Sequence, residues 1–238
     1  MLDRYYQDEY QKKQFPYENS VKCPPDMRIV DGVIPRGKKV LSIGCNTGRD
    51  ISFLTKENYV VGLDLMPDAI KEAISNGLDS KVWNVENGLP FPNKEFDIIV
   101  CKEVLEHLID PLFVMNEIHR VLKDDGYAFI TVPNHFWYFF RLRILFGKGL
   151  LEHDFAHVWN EWNYFHIRFF TFKGFNQLIK QTSFDGVRFY FPQTLAEIFA
   201  PAKLTRLNFL VPKRICTLLC KWRPNLLCTR FCVRVVKK

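Results

Sequence analysis

The chain has 238 residues, 47% of them hydrophobic and 25% charged, a balance that excludes a disordered or fibrous polypeptide. At roughly 100–200 residues per domain it forms one full domain with room for a small appendage, and it buries roughly 70–75% of its unfolded surface without needing a disulfide or a metal. The net charge of +7 is lopsided: ten of the 33 basic residues lie between Lys203 and Lys238, and no acid follows Glu197. The 23 remaining bases face 26 acids, so a mildly acidic body carries a strongly basic tail. Such a tail suits phosphate, nucleic acid or an anionic membrane surface, and equally a packed cap whose charges stay in water.

Residues 1–25 are polar, rich in Tyr and Lys, and end at Cys23-Pro24-Pro25. They read as part of an extension or lid over 1–37, because the Pro pair stops any helix. Alternation of strands and helices begins at Lys38. Val40–Ile43 is a strand that runs into a Gly44-x-x-x-Gly48 turn, followed by a helical stretch to about Lys56 and a second strand over Tyr59–Leu63. A helix over Pro67–Ser75 opens with Pro in its first turn. Lys81–Trp83 and Phe96–Val100 are the third and fourth strands, Pro111–Leu122 a helix, and Tyr127–Val132 a fifth strand after Asp124-Asp125-Gly126. Repetition of this kind signals βαβ units and a mostly parallel α/β sheet with helices on both faces.

From His135 to Thr171 the alternation breaks into a stretch dense in aromatics and histidines, read as an insertion over the strand ends. A helix over Lys173–Gln181 and a strand over Val187–Phe191 then resume the core, which spans 38–192. The basic segment 193–238 supplies a helical connection, Leu195–Trp222, and a final antiparallel strand, Phe231–Val236, that completes the sheet. The run HFWYFFRLRILF is 12 residues long and holds Arg141 and Arg143, too short and too charged to span a bilayer. With seven cysteines, an odd number, and no apolar leader in MLDRYYQDEY, the expectation is a reduced, cytoplasmic protein, membrane-peripheral if the tail meets anionic lipid. Cys216, Cys220, Cys228 and Cys232, at C-x3-C-x7-C-x3-C, read as buried thiols, since zinc sites prefer tighter pairs.

The Gly-rich turn carries the first chemical signal. Gly44, Asn46 and Gly48 sit at the spacing of a G-x-G-x-G turn, and Asn tolerates the left-handed backbone that the middle position demands. Asp64 follows Gly44 by 20 residues at the end of the second strand, where a carboxylate can accept both hydrogen bonds of a ribose diol. The segments VLSIGCNTG (40–48), VVGLDLMPDAIKEA (60–73), NVENGLPFPNKEFDIIVCKEVLEHLIDP (84–111) and EIHRVLKDDGYAFITVPN (117–134) resemble the class I S-adenosylmethionine-dependent methyltransferases with a Rossmann-like sheet. The type 11 branch and its methionine-biosynthesis protein W-like group resemble the later VPN, His166-x-Arg168 and Thr171 as well.

That resemblance implies S-adenosylmethionine as cofactor. Gly44, Cys45, Asn46 and Gly48 would cradle its methionine end and ribose, Asp64 would hold the ribose hydroxyls, and Leu65 would lie against adenine. Asn84 stands where the family often has Asp, Val85 supplies backbone contact, and Lys102 faces the methionine portion. Ser42 and Asn46 depart from the family pattern, which has an acid and a glycine at those places.

Methyl transfer from a sulfonium is an in-line displacement that alignment and desolvation accelerate, with a general base when the acceptor is a hydroxyl. Glu103, Glu106 and His107, at i, i+3 and i+4 on an expected helix just past the fourth strand, are the catalytic candidates. Glu-x-x-Glu-His also resembles the pattern of small-RNA 2′-O-methyltransferases and some quinone-precursor O-methyltransferases, which implies Mg2+ as the alternative, with a further ligand from His153, Asp154, His157 or His166. The acceptor expected is a small molecule or a lipid-linked group methylated at oxygen, with Trp137, Tyr138, Trp159, Trp162 and Tyr164 as apolar walls and Arg141, Arg143 and Arg168 on an anionic substituent. Nucleic acid is the lesser alternative as a partner, and a non-catalytic module that binds cofactor and regulates a partner is the competing class.

Overall fold

A computed structural model describes residues 36–150, 166–191, 198 and 211–237. The N-terminal extension, Trp159, Trp162 and Tyr164, the further ligands His153, Asp154 and His157, and most of the connection before Lys213 lie outside the described residues.

Seven strands form one sheet: β1 (Lys39–Ile43), β2 (Tyr59–Asp64), β3 (Asp79–Val82), β4 (Phe96–Lys102), β5 (Leu122–Pro133), β6 (Gly186–Tyr190) and β7 (Arg230–Val236). Their order is β3-β2-β1-β4-β5-β7-β6. The pairs β1–β2, β1–β4, β2–β3 and β4–β5 are parallel, and β7 runs antiparallel between β5 and β6. The basic tail thus completes the sheet, as its alternating Phe231–Val236 run indicates. The chain leaves β1 toward β2 on one side and later returns to β4 on the other, which makes the carboxyl ends of β1 and β4 the topological switch point.

Neighbouring residues on the central strands face opposite layers, and both layers are dry. Leu41 and Ile43 of β1 and Ile99 and Cys101 of β4 join one apolar cluster, while Val40, Ile98 and Val100 join another. The larger cluster is closed by α2 (Pro111–Val121), α4 (Phe172–Lys180) and α5 (Lys213–Trp222), the smaller by α1 (Pro67–Ser75). Two shorter helices, α3 (Tyr138–Leu145) and α6 (Pro224–Leu227), lie near the end of β5.

Local chemistry sets the helix starts. Pro begins α1 and α2 at the position where its missing N–H costs nothing, and the Asp110 carboxylate accepts the Phe113 N–H at 2.9 Å to cap α2. The Thr171 hydroxyl caps α4 by accepting the Gly174 N–H at 3.0 Å. The stretch expected to be helical to Lys56 is instead a chain of i→i+3 turns around a 3-10 segment, Ser52–Leu54. There the Ser52 and Thr55 hydroxyls donate to the carbonyls of Arg49 and Ser52, competing with helical pairing. β5 also starts five residues before the expected Tyr127, with an irregular register against β4 that absorbs Asp124-Asp125-Gly126.

Candidate functional site

The carboxyl ends of β1, β2, β4 and β5 lie on one edge of the parallel sheet, and the residues singled out by sequence gather there. After β1 the chain turns sharply: Gly44 has φ +64°, Asn46 φ +47° and Gly48 φ +72°. Asn46 therefore takes the left-handed backbone expected of it. A Cβ at Gly48 would stand 2.9 Å from Leu78 Cδ1 and 3.3 Å from the Ala73 backbone, so this glycine lets the turn pack against α1.

Asp64 closes the turn from the neighbouring strand. Its carboxylate accepts the Asn46 N–H at 2.8 Å on one oxygen and the Met66 N–H at 3.0 Å on the other. Burial lifts its pKa, and the backbone N–H bonds pull it back. A carboxylate has about four acceptor sites, so capacity remains for a diol. Leu65 follows it, partly exposed. Asn84, two residues past β3, accepts the Glu86 N–H at 2.9 Å and caps the 3-10 turn Val85–Asn87, in which Val85 is buried. Lys102, at the end of β4, pairs with Asp50.

Cys45 presents backbone, not side chain, to this edge. Its N–H donates to the Leu63 carbonyl at 3.0 Å, and its thiol lies inside the smaller apolar cluster, 7% exposed and pushed up to about 12 by burial and by Asp64. The buried Ser42 sits behind the turn at 4% exposure.

The catalytic trio does not share a helix face. Leu105–His107 is a single 3-10 turn, and Glu103 precedes it with φ +53°. The chain must become extended again at Leu108 before Asp110-Pro111 can start α2, which leaves no room for a longer helix. Glu103 accepts the Thr131 hydroxyl of β5 at 2.9 Å. Glu106 is 0% exposed, and neither of its carboxyl oxygens has a hydrogen-bond partner among the described residues. Burial first, and the Glu103 charge second, hold its carboxyl well above the usual carboxylate range.

Two histidines from distant segments complete this corner. The 166–168 loop docks onto the turn through Ile167 and Arg168, whose N–H groups donate to the Glu106 carbonyl at 2.9 and 3.0 Å. His107 Nε2 and His166 Nε2 stand 3.9 and 4.0 Å from Glu106 Oε1. His166 Nδ1 lies 2.7 Å from Nε2 of His135, which follows β5 and is 2% exposed. The ligating atoms of Glu106, His107 and His166 all lie within 4.8 Å of one another. Sequence reasoning reached His166 through its His-x-Arg setting and as a candidate further metal ligand, but gave His135 no role.

Burial and the neighbouring His107 lower His135 to about 4, and burial with His107 and His135 lowers His166 to about 2. Both rings resist protonation in the folded state, so the stability they contribute is whole above pH ~6.5 and is lost as pH falls. The melting temperature should therefore drop as pH falls from ~6.5 toward 4, where both rings contribute, and His135→Asn should make that arm shallower. Thermal melts of both proteins across the window test it; parallel curves would contradict the assignment.

The residues expected to grip an acceptor are differently employed. The Arg168 guanidinium donates to the carbonyls of Leu108 and Ile109, Arg141 to Phe136, and Arg143 to Gly149. Trp137 is 8% exposed and its indole N–H donates to the Ile198 carbonyl at 3.0 Å, which makes it a core residue. Tyr138 is partly exposed, its phenol pKa raised by burial.

Known proteins share this frame. Two curated relatives, each named ubiquinone biosynthesis O-methyltransferase, come from Xylella fastidiosa (strain M23), 32% identical over 105 residues (41% of this chain, 43% of that protein), and from Vibrio campbellii, 29% identical over 141 residues (56% and 59%). The chain spans about half the length of the curated relatives it matches. Among solved structures, a SAM-dependent methyltransferase from Thermotoga maritima has a TM-score of 0.62 at 17% identity, covering 99% of this chain and 98% of that one. A TehB-like SAM-dependent methyltransferase from Corynebacterium glutamicum has a TM-score of 0.54 at 18% identity, with coverage of 99% and 98%. At such identities the likeness is one of fold. The family model for the methyltransferase domain matches residues 23–188, which takes in the turn, Asp64 and the Glu106 corner, and the chain belongs to that methyltransferase family.

Proposed function

We propose that this protein transfers a methyl group from S-adenosylmethionine to an oxygen of a small-molecule acceptor. The observation that carries the reading is the meeting, on one sheet edge, of a diol-ready carboxylate and a buried acid–histidine corner. The donor set fits the cofactor: Asp64 retains acceptor capacity for two ribose hydroxyls, and the Gly44–Gly48 turn brings backbone close. Bound there, S-adenosylmethionine supplies an already activated methyl group. The backbone of Cys45 and Asn46, the side chain of Lys102, and Leu65, Asn84 and Val85 would line the same site.

His107 is the general base of this reading. Its ring is 24% exposed beside the fully buried Glu106, so it can meet an acceptor hydroxyl and take its proton as the oxygen attacks. The Glu106 carbonyl holds the 166–168 loop on the turn and its carboxyl lies beside both imidazoles, Glu103 is held by Thr131, and His135 backs His166.

A second reading has its own observation. A buried carboxyl without a hydrogen-bond partner among the described residues, next to two imidazoles, is a donor set for a divalent ion. Mg2+ prefers six oxygens, whereas one carboxylate and two imidazoles suit Mn2+, Fe2+ or Zn2+. Glu106, His107 and His166 would hold such an ion, which would orient and acidify an acceptor hydroxyl.

Transfer of labelled methyl groups to catechol-type and other hydroxyl acceptors, after chelation and with each ion restored, tests both. Turnover in chelator supports His107 as base; turnover only with Mn2+ or Zn2+ supports the metal. No transfer to any hydroxyl acceptor, with the cofactor bound, contradicts O-methylation.

A further inference from the structure

Helix α5 has two apolar faces, and only one of them is explained by the fold. Cys216 and Cys220, both 0% exposed, point one turn apart into the larger cluster. Ile215, Leu218, Leu219 and Trp222, at i, i+3, i+4 and i+7, form a second stripe roughly 130° around the helix from them. That stripe faces solvent: Leu218 is 63% and Trp222 69% exposed. At the end of α3 a second apolar patch stands out, with Leu145 75% and Phe146 74% exposed beside Leu142 and Ile144.

The two patches lie on adjoining helices. α3 packs on α6 and α6 on α5, and α6 itself exposes Leu226. Asn134, ahead of α3, fastens the arrangement by donating to the carbonyls of Asn225 and Cys228 at 3.0 and 2.6 Å. Exposed aliphatic and aromatic groups gathered on three adjoining helices mark an interaction surface.

The helices that carry it bear charge of one sign. Arg141 and Lys148 flank the α3 patch, Lys213, Arg214, Lys221 and Arg223 flank the α5 stripe, and all six are exposed. No acid occurs in residues 134–150 or 211–237. The Arg223 guanidinium lies 4.4 Å from the centroid of the Trp222 ring, a pairing suited to a boundary that is apolar on one side and charged on the other. No helix among the described residues is long and apolar enough to cross a membrane, so such a face would lie on a bilayer.

We propose that α3, α6 and α5 form a docking surface for an anionic lipid bilayer. The apolar stripe enters the headgroup boundary, and the flanking bases meet lipid phosphates. The surface sits where β5 ends and β7 begins, paired at Pro133 and Arg230, on the same sheet edge as Asp64 and Glu106. Docking therefore brings the cleft to an acceptor carried in the membrane, a consequence that rests on the methyl-transfer reading, whereas the docking does not.

Co-sedimentation of the full chain with phosphatidylcholine vesicles, with and without phosphatidylglycerol, tests the proposal at low and high salt. Binding is expected only with phosphatidylglycerol, weakening with salt. Phe146→Ser combined with Trp222→Ser should lose about tenfold or more, and Lys213→Gln with Arg214→Gln roughly fivefold per charge. Calorimetric affinity for S-adenosylmethionine should be unchanged in both variants, which shows them folded and separates docking from the cleft. The proposal is overturned by no binding to phosphatidylglycerol vesicles at low salt, by equal binding of the variants, by RNA binding through these residues without vesicle binding, or by a dimer that Trp222→Ser dissociates. Docking by a chain that does not bind S-adenosylmethionine would overturn the methyl-transfer reading and leave the surface standing.

Discussion

Replacing Asp64 with Ala is expected to weaken S-adenosylmethionine binding roughly 10²–10³-fold. Each hydrogen bond from a ribose hydroxyl to a charged carboxylate contributes about 1.5–3 kcal/mol, and every 1.4 kcal/mol is about tenfold in affinity. Two such bonds are at stake, and some of the loss is recovered by water in the space left behind. Asp64 also pins the Asn46 and Met66 N–H groups, so its removal loosens the turn that must present its backbone to the cofactor. Asp64→Asn keeps the size and one acceptor and should lose less. Calorimetric titration reads both, with the melting temperature of the cofactor-free proteins as the control for folding. An unchanged affinity in the Ala variant would mean the ribose is held elsewhere.

The second large effect is expected at the Glu106 corner. His107→Ala should lower kcat by roughly 10²–10⁴-fold, the usual weight of a positioned base, with cofactor affinity within about threefold of the parent. Glu106→Leu should separate activity from stability. Glu106 is fully buried with neither oxygen partnered among the described residues, and such a group costs the fold about 1–3 kcal/mol. Its replacement should abolish most turnover while raising the melting temperature, the exchange expected where an active site stores destabilising chemistry. Single-turnover kinetics together with thermal melts check both halves. A Glu106→Leu protein that melts lower than the parent and turns over normally would make Glu106 a packing residue.

How much of this was legible in the sequence follows from the range of the interactions involved. The helix starts at Pro67 and Pro111 were readable because proline and a capping Asp act within three or four residues. The left-handed Asn46 and the position of Asp64 were readable because strand, turn and acid occur in fixed local order. The parallel sheet followed from repeated units, and the existence of the tail strand from its alternation, whereas its place between β5 and β6 did not. At the Glu106 corner the expected helix is a single 3-10 turn. Spacing alone suggested a helix face, yet Leu108 must be extended ahead of Asp110-Pro111, and Ile167 and Arg168, about 60 residues away, with Thr131 on β5, hold the single turn that results. The His135–His166 pair depends on two chain segments meeting beyond the sheet, which no periodicity encodes. Cys45 shows a similar limit: its backbone sits where the motif places it, while the close approach of Gly62 and Ser80 draws its thiol into the core. The Arg143 and Arg168 guanidinium groups meet backbone carbonyls that nothing in the sequence signals, and Arg141 commits its Nε in the same way while staying exposed.

The central claim is that the edge formed by the Gly44–Gly48 turn and Asp64 binds S-adenosylmethionine. Calorimetric titration of the purified chain with S-adenosylmethionine and S-adenosylhomocysteine, before and after chelation, tests it most directly. One saturable site for each, retained in chelator and lost with Asp64→Ala, is the predicted result; no heat from either ligand would contradict the account.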